Sequence, residues 1–195
     1  MAPRWGNQKM EGCEMRFPLM AALLAFTVSP VVSSAADLAD GRHAVFLEDV
    51  GEDRRLVAEI DIKNGQYSIE MKGESFSEHF LSMRPFKCLD GPEKTWCHVP
   101  YPYPIARDLS RDLTDLEYDL LFLWKDSSEY GIDLWNGVYY QLEVSDDGRI
   151  RGLLHEMDMN ILSAPPEDGN MRPIHDNDLE PGEAESHWLP ILVIE

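Results

Sequence analysis

Residues 130–160 read YGIDLWNGVYYQLEVSDDGRIRGLLHEMDMN. Within them Ile132, Leu134, Val138, Tyr140, Leu142, Val144, Ile150 and Leu154 alternate with Asp133, Gln141, Glu143, Arg149 and Arg151. A period of two is the pattern of strands that bury one face. Trp135-Asn136-Gly137 and Asp146-Asp147-Gly148 punctuate the pattern as turns. If Asn136-Gly137 alone were the loop, Trp135 would oppose Val138 and Asp133 would oppose Tyr140, which mixes the faces. A three-residue loop ending on a left-handed Gly137 pairs Leu134 with Val138 and Ile132 with Tyr140, and the apolar residues then share one side. The same logic at Gly148 pairs Ser145 with Arg149 and Val144 with Ile150. A slip of one residue would invert each strand. The stretch therefore predicts a three-strand antiparallel meander whose even-numbered side chains over 132–154 face one interior.

Outward from this stretch the signals continue to be β. Residues 42–48 alternate weakly, and Gly51-Glu52-Asp53 turns the chain into Leu56, Ala58, Ile60 and Ile62. Asn64-Gly65 then gives a two-residue type I′ hairpin with Lys63 opposite Gln66, Ile62 opposite Tyr67 and Ile60 opposite Ile69. Residues 77–86 read as one strand and 95–99 as its return. Pro100-Tyr101-Pro102-Tyr103-Pro104 favours an extended strap over regular pairing; its tyrosines either pack on the domain or capture a ligand. Leu109, Leu113 and Leu116 keep helical spacing, so a short helix is expected to about Glu117, followed by a buried strand over 118–124. Residues 163–185 form a long acidic loop rich in Pro and Gly, and 187–195 a docked C-terminal strand. The fold expected is mainly β: an antiparallel meander of about eight strands, a lipocalin-like or open β-barrel, with one short helix. Closure would remove vulnerable edges.

The first 36 residues read differently. Met15-Arg16 opens a short basic region, Pro18 to Val32 is apolar, and Ser34-Ala35-Ala36 offers small residues for cleavage. This is the layout of a secretory signal peptide ending near Ala36, and the run is short for a membrane span. Either Met1 or Met15 could begin the leader. Cys13 lies upstream of the apolar run, which argues against lipidation at the cleavage site. The remainder, residues 37–195, is one domain by length. The whole chain carries a net charge of −19. The leader holds three cations (Arg4, Lys9, Arg16) and two carboxylates (Glu11, Glu14), so its removal leaves −20. Such a surface is a poor partner for nucleic acid and for anionic membranes. A small apolar or cationic ligand is compatible with it.

Cys88 and Cys97 are the two cysteines after the leader. In an oxidising compartment an isolated pair reads as a disulfide, closed over the Asp90-Gly91-Pro92 turn and contributing roughly 2–3 kcal/mol by loop-closure entropy. Neither a Cys-x-x-Cys redox pair nor a second pair for zinc is present.

Chemistry is best sought at His155-Glu156-Met157-Asp158-Met159-Asn160. If the third strand runs on, Glu156 and Asp158 continue the inward face and ring a polar cavity beside Trp135 and Tyr140, as ligand-binding or acid/base groups. On the other face His155, Met157 and Met159 offer imidazole and thioether ligands suited to Cu(I). A bulge near Glu156 would instead swap the faces, making both methionines core and both acids solvated. The string is not His-Glu-x-x-His, and no nucleophile elbow, phosphate loop or dinucleotide fingerprint occurs.

The runs Met83-Arg84-Pro85-Phe86-Lys87-Cys88-Leu89, Cys97-His98-Val99-Pro100-Tyr101-Pro102-Tyr103, Leu116-Glu117-Tyr118-Asp119-Leu120-Leu121-Phe122, Leu134-Trp135-Asn136-Gly137-Val138-Tyr139-Tyr140 and Leu154-His155-Glu156-Met157-Asp158-Met159 resemble those of an uncharacterised exported family of proteobacteria. The resemblance spans nearly all of residues 37–195 and implies export, with no activity, cofactor or site residue attached. Together these readings lead to a non-enzymatic, small-ligand-binding or envelope-associated protein of the periplasm or secreted space, without a cofactor. A hydrolase-like use of Glu156, Asp158 and His155, and copper binding by His155, Met157 and Met159, are the rival expectations.

Overall fold

The computed structural model describes Met1 and residues 38–195 apart from residues 52 and 82. The expected leader and its cleavage point lie, Met1 excepted, outside the described residues. The chain runs β1 (Gly41–Glu48), β2 (Arg54–Lys63), β3 (Gln66–Met71), β4 (Ser77–Leu81), β5 (Arg84–Asp90), β6 (Lys94–His98), α1 (Thr114–Asp119), β7 (Phe122–Asp126), β8 (Gly137–Val144), β9 (Ile150–Met157), β10 (Glu180–Pro181) and β11 (Ile191–Ile194). All eleven strands join one antiparallel sheet in the order β3-β2-β1-β11-β9-β8-β7-β6-β5-β4, with β10 beside β9. The sheet is mainly a meander, as expected. It has eleven strands where about eight were expected, and its two edge strands, β3 and β4, do not pair.

Two hairpins follow their turn chemistry. Asn64 (φ 52°) and Gly65 (φ 76°) both take positive φ, as a type I′ turn requires. Lys63 then faces Gln66, Ile62 faces Tyr67 and Ile60 faces Ile69. Gly148 (φ 79°) closes the second, with Val144 opposite Ile150 and Tyr140 opposite Leu154.

The first third of the meander is not as expected. Residues 130–135 form no strand; Asp133 instead caps a turn, accepting from Trp135 N–H through its carboxylate (3.0 Å) and from Asn136 N–H through its carbonyl (3.2 Å). The partner of β8 is β7, with Val138 opposite Phe122. Ile132 and Leu134 pack in the outer apolar clusters, while Val138 and Tyr140 lie in the inner one. Leu134 and Tyr140 therefore serve opposite faces of the sheet. Alternation failed here because both faces of β7 and β8 are covered, so an apolar residue in the preceding loop has two places to go. Residues 77–86 are likewise two strands, reversing at Met83 (φ 66°). No glycine marks that bend. The helix runs to Asp119 and the strand after it starts only at Phe122, so the boundary drawn at Glu117 falls two residues early.

The sheet wraps one inner core. Tyr67 at one edge, Leu89 and Trp96 near the other, and Val45, Ile60, Tyr140, Leu154 and Leu192 between them form a single buried cluster. Leu109, Leu113, Leu116 and Leu120 enter it from the α1 region. A second cluster on the outer face gathers Tyr101, Tyr118, Tyr139, Met157, Met159 and Ile174. There the proline-tyrosine strap packs on the domain: Tyr101 meets the Tyr118 ring edge-on at 4.7 Å and donates to the Met171 carbonyl (2.7 Å).

Helix α1 carries three buried carboxylates, Asp115, Glu117 and Asp119. Asp115 and Asp119 are four apart and share a side of the helix; Glu117 lies opposite. Each reaches a different part of the chain. Asp115 accepts from Arg172 (Nε 2.8 Å) in the acidic loop. Asp119 accepts from Tyr67 O–H on β3 (2.8 Å) and from both Nε and Nη2 of Arg107 (2.7 and 2.8 Å). Glu117 accepts from Leu142 N–H of β8 (2.7 Å) and from Tyr139 O–H.

Burial pushes the Glu117 carboxyl above its ordinary value, against the pull of those two donors. An acid raised in the folded state holds its proton there after the unfolded chain has released it. Stability then falls as pH rises from the unfolded value through the folded one. Glu117→Gln keeps an acceptor and removes the ionisation, so it should flatten that decline between pH 5 and pH 8 in urea unfolding. Glu117→Leu strands two buried donors and should cost about 2–4 kcal/mol at either pH.

Candidate functional site

The edges β3 and β4 are consecutive in the chain, linked only by residues 72–76. That link is tied back to β2: Lys72 N–H donates to the Val57 carbonyl (2.8 Å), and the Ser75 hydroxyl donates to that of Leu56. The chain therefore leaves β3 sideways instead of folding into a paired hairpin. The start of β3 is covered from the other direction. Tyr67 N–H donates to the Arg107 carbonyl (3.1 Å) and Leu109 N–H to that of Gly65 (2.7 Å). The seam between the edges is thus sealed near residues 65–67 and open at 69–71.

A cleft of about 530 Å³ lies beside residues 69–71, between β3 and the start of β5, and none of its lining residues belongs to β4. One wall is Ile69, Glu70 and Met71 of β3; the other is Arg84, Pro85, Phe86 and Lys87 of β5. His98 and Pro100 complete its lining. The volume is within the roughly 300–1,000 Å³ usual for small-molecule sites. A neighbouring hollow of about 300 Å³ shares Arg84 and Pro100 with it and continues past Tyr101, Tyr103, Leu134 and Met159.

His98 is buried, and its Nε2 lies 2.9 Å from the Asp119 carbonyl. A carbonyl only accepts, so Nε2 carries the hydrogen. The ring meets Phe122 edge-on at 5.6 Å. Burial lowers its pKa, the Asp119 carbonyl raises it, and the Lys87 charge lowers it further. The net depression keeps the imidazole neutral at physiological pH. The lining is thus apolar on Ile69, Met71, Pro85 and Phe86, neutral at His98, positive at Arg84 and Lys87, and negative at Glu70.

The residues singled out in the sequence lie elsewhere. Cys88 and Cys97 form the expected disulfide, directly opposite each other on β5 and β6. They pack with Leu81 and Phe86 on the outer face, just beyond the cleft. Trp135 is 71% exposed on the turn before β8. Tyr140 is fully buried, its hydroxyl donating to the Leu189 carbonyl (2.7 Å). Glu156 stays in strand and lies 2.6 Å from Nε2 of the buried His187. Asp158 follows the end of β9 and caps the next turn, accepting from Asn160 N–H (2.8 Å). Glu156 and Asp158 thus have separate partners. His155 turns its Nδ1 to the Leu153 carbonyl (3.1 Å). Met157 and Met159 are buried together against Tyr118 and Tyr139, a cluster that does not include His155.

Two buried nitrogens, Trp96 Nε1 and His187 Nδ1, have no partner among the described residues. Their rings meet edge-on at 6.2 Å. In the sequence His187 is a lone histidine at the start of the expected C-terminal strand, with no local sign of its partner Glu156, 31 residues away. The cleft was missed because its lining comes from three strands separated in sequence.

Family models, curated proteins and solved structures supply no match to the chain.

A histidine held below its ordinary pKa by burial refuses a proton that the unfolded chain accepts. The contribution of His98 should therefore be constant above about pH 6.5 and fall below it, by at most about 1.4 kcal/mol per pH unit. His98→Gln retains an N–H for the Asp119 carbonyl without titrating. Urea unfolding at pH 7.5 and 5.5 should show a smaller acid loss in the variant than in the wild type, and equal losses would refute the assignment.

Proposed function

We propose that the domain is an exported, non-enzymatic binding protein that holds a small, largely apolar ligand in the seam cleft. The observation that carries this reading is the cleft between β3, one edge of the sheet, and residues 84–87 of β5. We also infer the finer architecture, an incompletely closed barrel of lipocalin-like layout. In that layout the ligand sits at the seam, because the inner core is filled by Trp96, Phe122, Tyr140, Leu116 and Leu120, each almost entirely excluded from solvent.

Export is supported by the leader pattern and by the Cys88–Cys97 bond, which persists in an oxidising compartment. An association with the envelope is supported by Phe80 and Met83, 64% and 91% exposed on the β4–β5 hairpin next to the cleft. No helix among the described residues is long and apolar enough to cross a membrane.

The neutral dye N-phenyl-1-naphthylamine tests the site. It should gain fluorescence with the wild type, and Met71→Trp, which fills the cleft from β3, should weaken binding by about tenfold or more with the fold intact by circular dichroism. Undiminished binding by this variant would rule the cleft out. For export, mass spectrometry of the protein recovered from its native host should give an N-terminus near residue 37 and a mass two hydrogens below the reduced form.

A further inference from the structure

The cleft has a polarity that the rest of the surface does not share. After the leader the chain carries 34 carboxylates against 14 cations, and many of those cations are already engaged. Arg54 pairs with Glu48 and Glu195, Lys72 with Glu59, Arg107 with Asp119, Arg149 with Asp147, and Arg172 with Asp112 and Asp115. Of the cations that make no ion pair within 4 Å among the described residues, Lys63, Lys94, Arg111, Lys125 and Arg151 lie away from the cleft, and Arg84 and Lys87 lie at it. Both line the cleft, both are exposed, and neither makes an ion pair within 4 Å among the described residues. Glu78 lies across the β4–β5 ladder from Lys87 without reaching it. Glu70, the one carboxylate of the lining, is 80% exposed and lies 3.8 Å from the Lys72 ammonium, its charge partly offset. Arg84 rests against the Phe86 ring (4.9 Å), which leaves its N–H fork available in the plane of the guanidinium. His98 is neutral and contributes no opposing charge.

We infer that the ligand is an amphiphilic anion, a single alkyl chain with a carboxylate head. The inference rests on the seam cleft being the binding site. The chain lies along Ile69, Met71, Pro85 and Phe86. The head meets Arg84, which can hold two carboxylate oxygens at once, while Lys87, on the other face of β5, adds a second positive charge to the local field. Long-range attraction would favour a cation at a domain of this net charge. Selection of an anion must therefore come from the two local cations, whose interaction at a few ångström outweighs the screened field of distant carboxylates.

Displacement of N-phenyl-1-naphthylamine separates this inference from the reading beneath it. Dodecanoate, dodecyltrimethylammonium and 1-dodecanol are compared at pH 8, low salt and concentrations below micelle formation. Dodecanoate should displace the dye at a concentration about tenfold below that of dodecyltrimethylammonium. The double variant Arg84→Gln/Lys87→Gln should bring the two within about threefold, with the fold intact by circular dichroism. A cation bound as tightly as dodecanoate, or a preference that survives the double variant, would overturn the anionic ligand and leave the cleft standing. Absence of dye binding to the wild type would overturn both.

Discussion

Six residues of helix hold three parts of this fold together. Asp115, Glu117 and Asp119 leave solvent when α1 docks, and an unpaired buried carboxylate would be prohibitive. Each therefore compels a donor to be in place: Arg172 in the acidic loop, Leu142 N–H and Tyr139 O–H on β8, and Tyr67 O–H with the Arg107 fork at β3. The demand couples segments that the strand ladders do not join. β8 lies in the middle of the sheet and β3 at its edge, and one short helix fixes the distance between them. Buried ionic networks add less to net stability than their contact distances suggest, because desolvation offsets most of the attraction. Their effect is on which arrangement is allowed. A register that left any of these acids without its donor would be excluded.

This constraint also accounts for the opening. Asp119 draws Tyr67 and Arg107 to the inner side of the β3 start, and the Arg107 carbonyl then occupies the β3 edge. One end of the seam is closed from within. The other end has no such clamp, since residues 72–76 are bound to β2. The same Asp119 offers its backbone carbonyl to His98 in the cleft lining. Closed interior and open seam thus follow from one residue acting through its side chain and its main chain. A ligand at the seam would touch the edge strands without disturbing the packed core.

Much of the β architecture was legible from short-range signals. The Asn64-Gly65 turn has a geometry that few residue pairs satisfy, and its register followed directly. Val144 opposite Ile150 was legible because Gly148 supplies the positive φ that the turn needs. What was not legible depended on partners far away in sequence. Leu134 reads the same whether it faces inward or outward, and only the strap and the 159–174 segment, which cover the outer face, decide. Nothing local marks Asp115, Glu117 and Asp119 as a set of buried acids, because their donors lie between 12 and 57 residues away. The reversal at Met83 carries no glycine or asparagine, so nothing local announced it. His155 through Met159 drew attention by composition, yet composition does not say where a strand stops. The end of β9 at Met157 sends Asp158 into a cap.

The disulfide takes on a meaning in this setting that its loop length does not give it. Cys88 and Cys97 join β5 to β6 immediately beside Lys87 and His98, the two cleft residues at adjoining positions. β5 is flanked on its far side only by β4, which ends the sheet. An edge hairpin held by one short ladder would open readily, since edge elements are drawn from the less stable part of a fold. The covalent bond sits where that opening would widen the cleft, so it holds the Lys87 wall at a fixed separation from His98. On the opposite wall no such bond is needed, because β3 is clamped by Tyr67, Arg107 and the paired Lys72. Both sides of the cleft are therefore rigid at their roots, one by covalent chemistry and one by buried charge. A preformed hollow of this kind binds with little ordering cost. Reduction would relax one wall only, and with it the spacing between the cationic side and the apolar side.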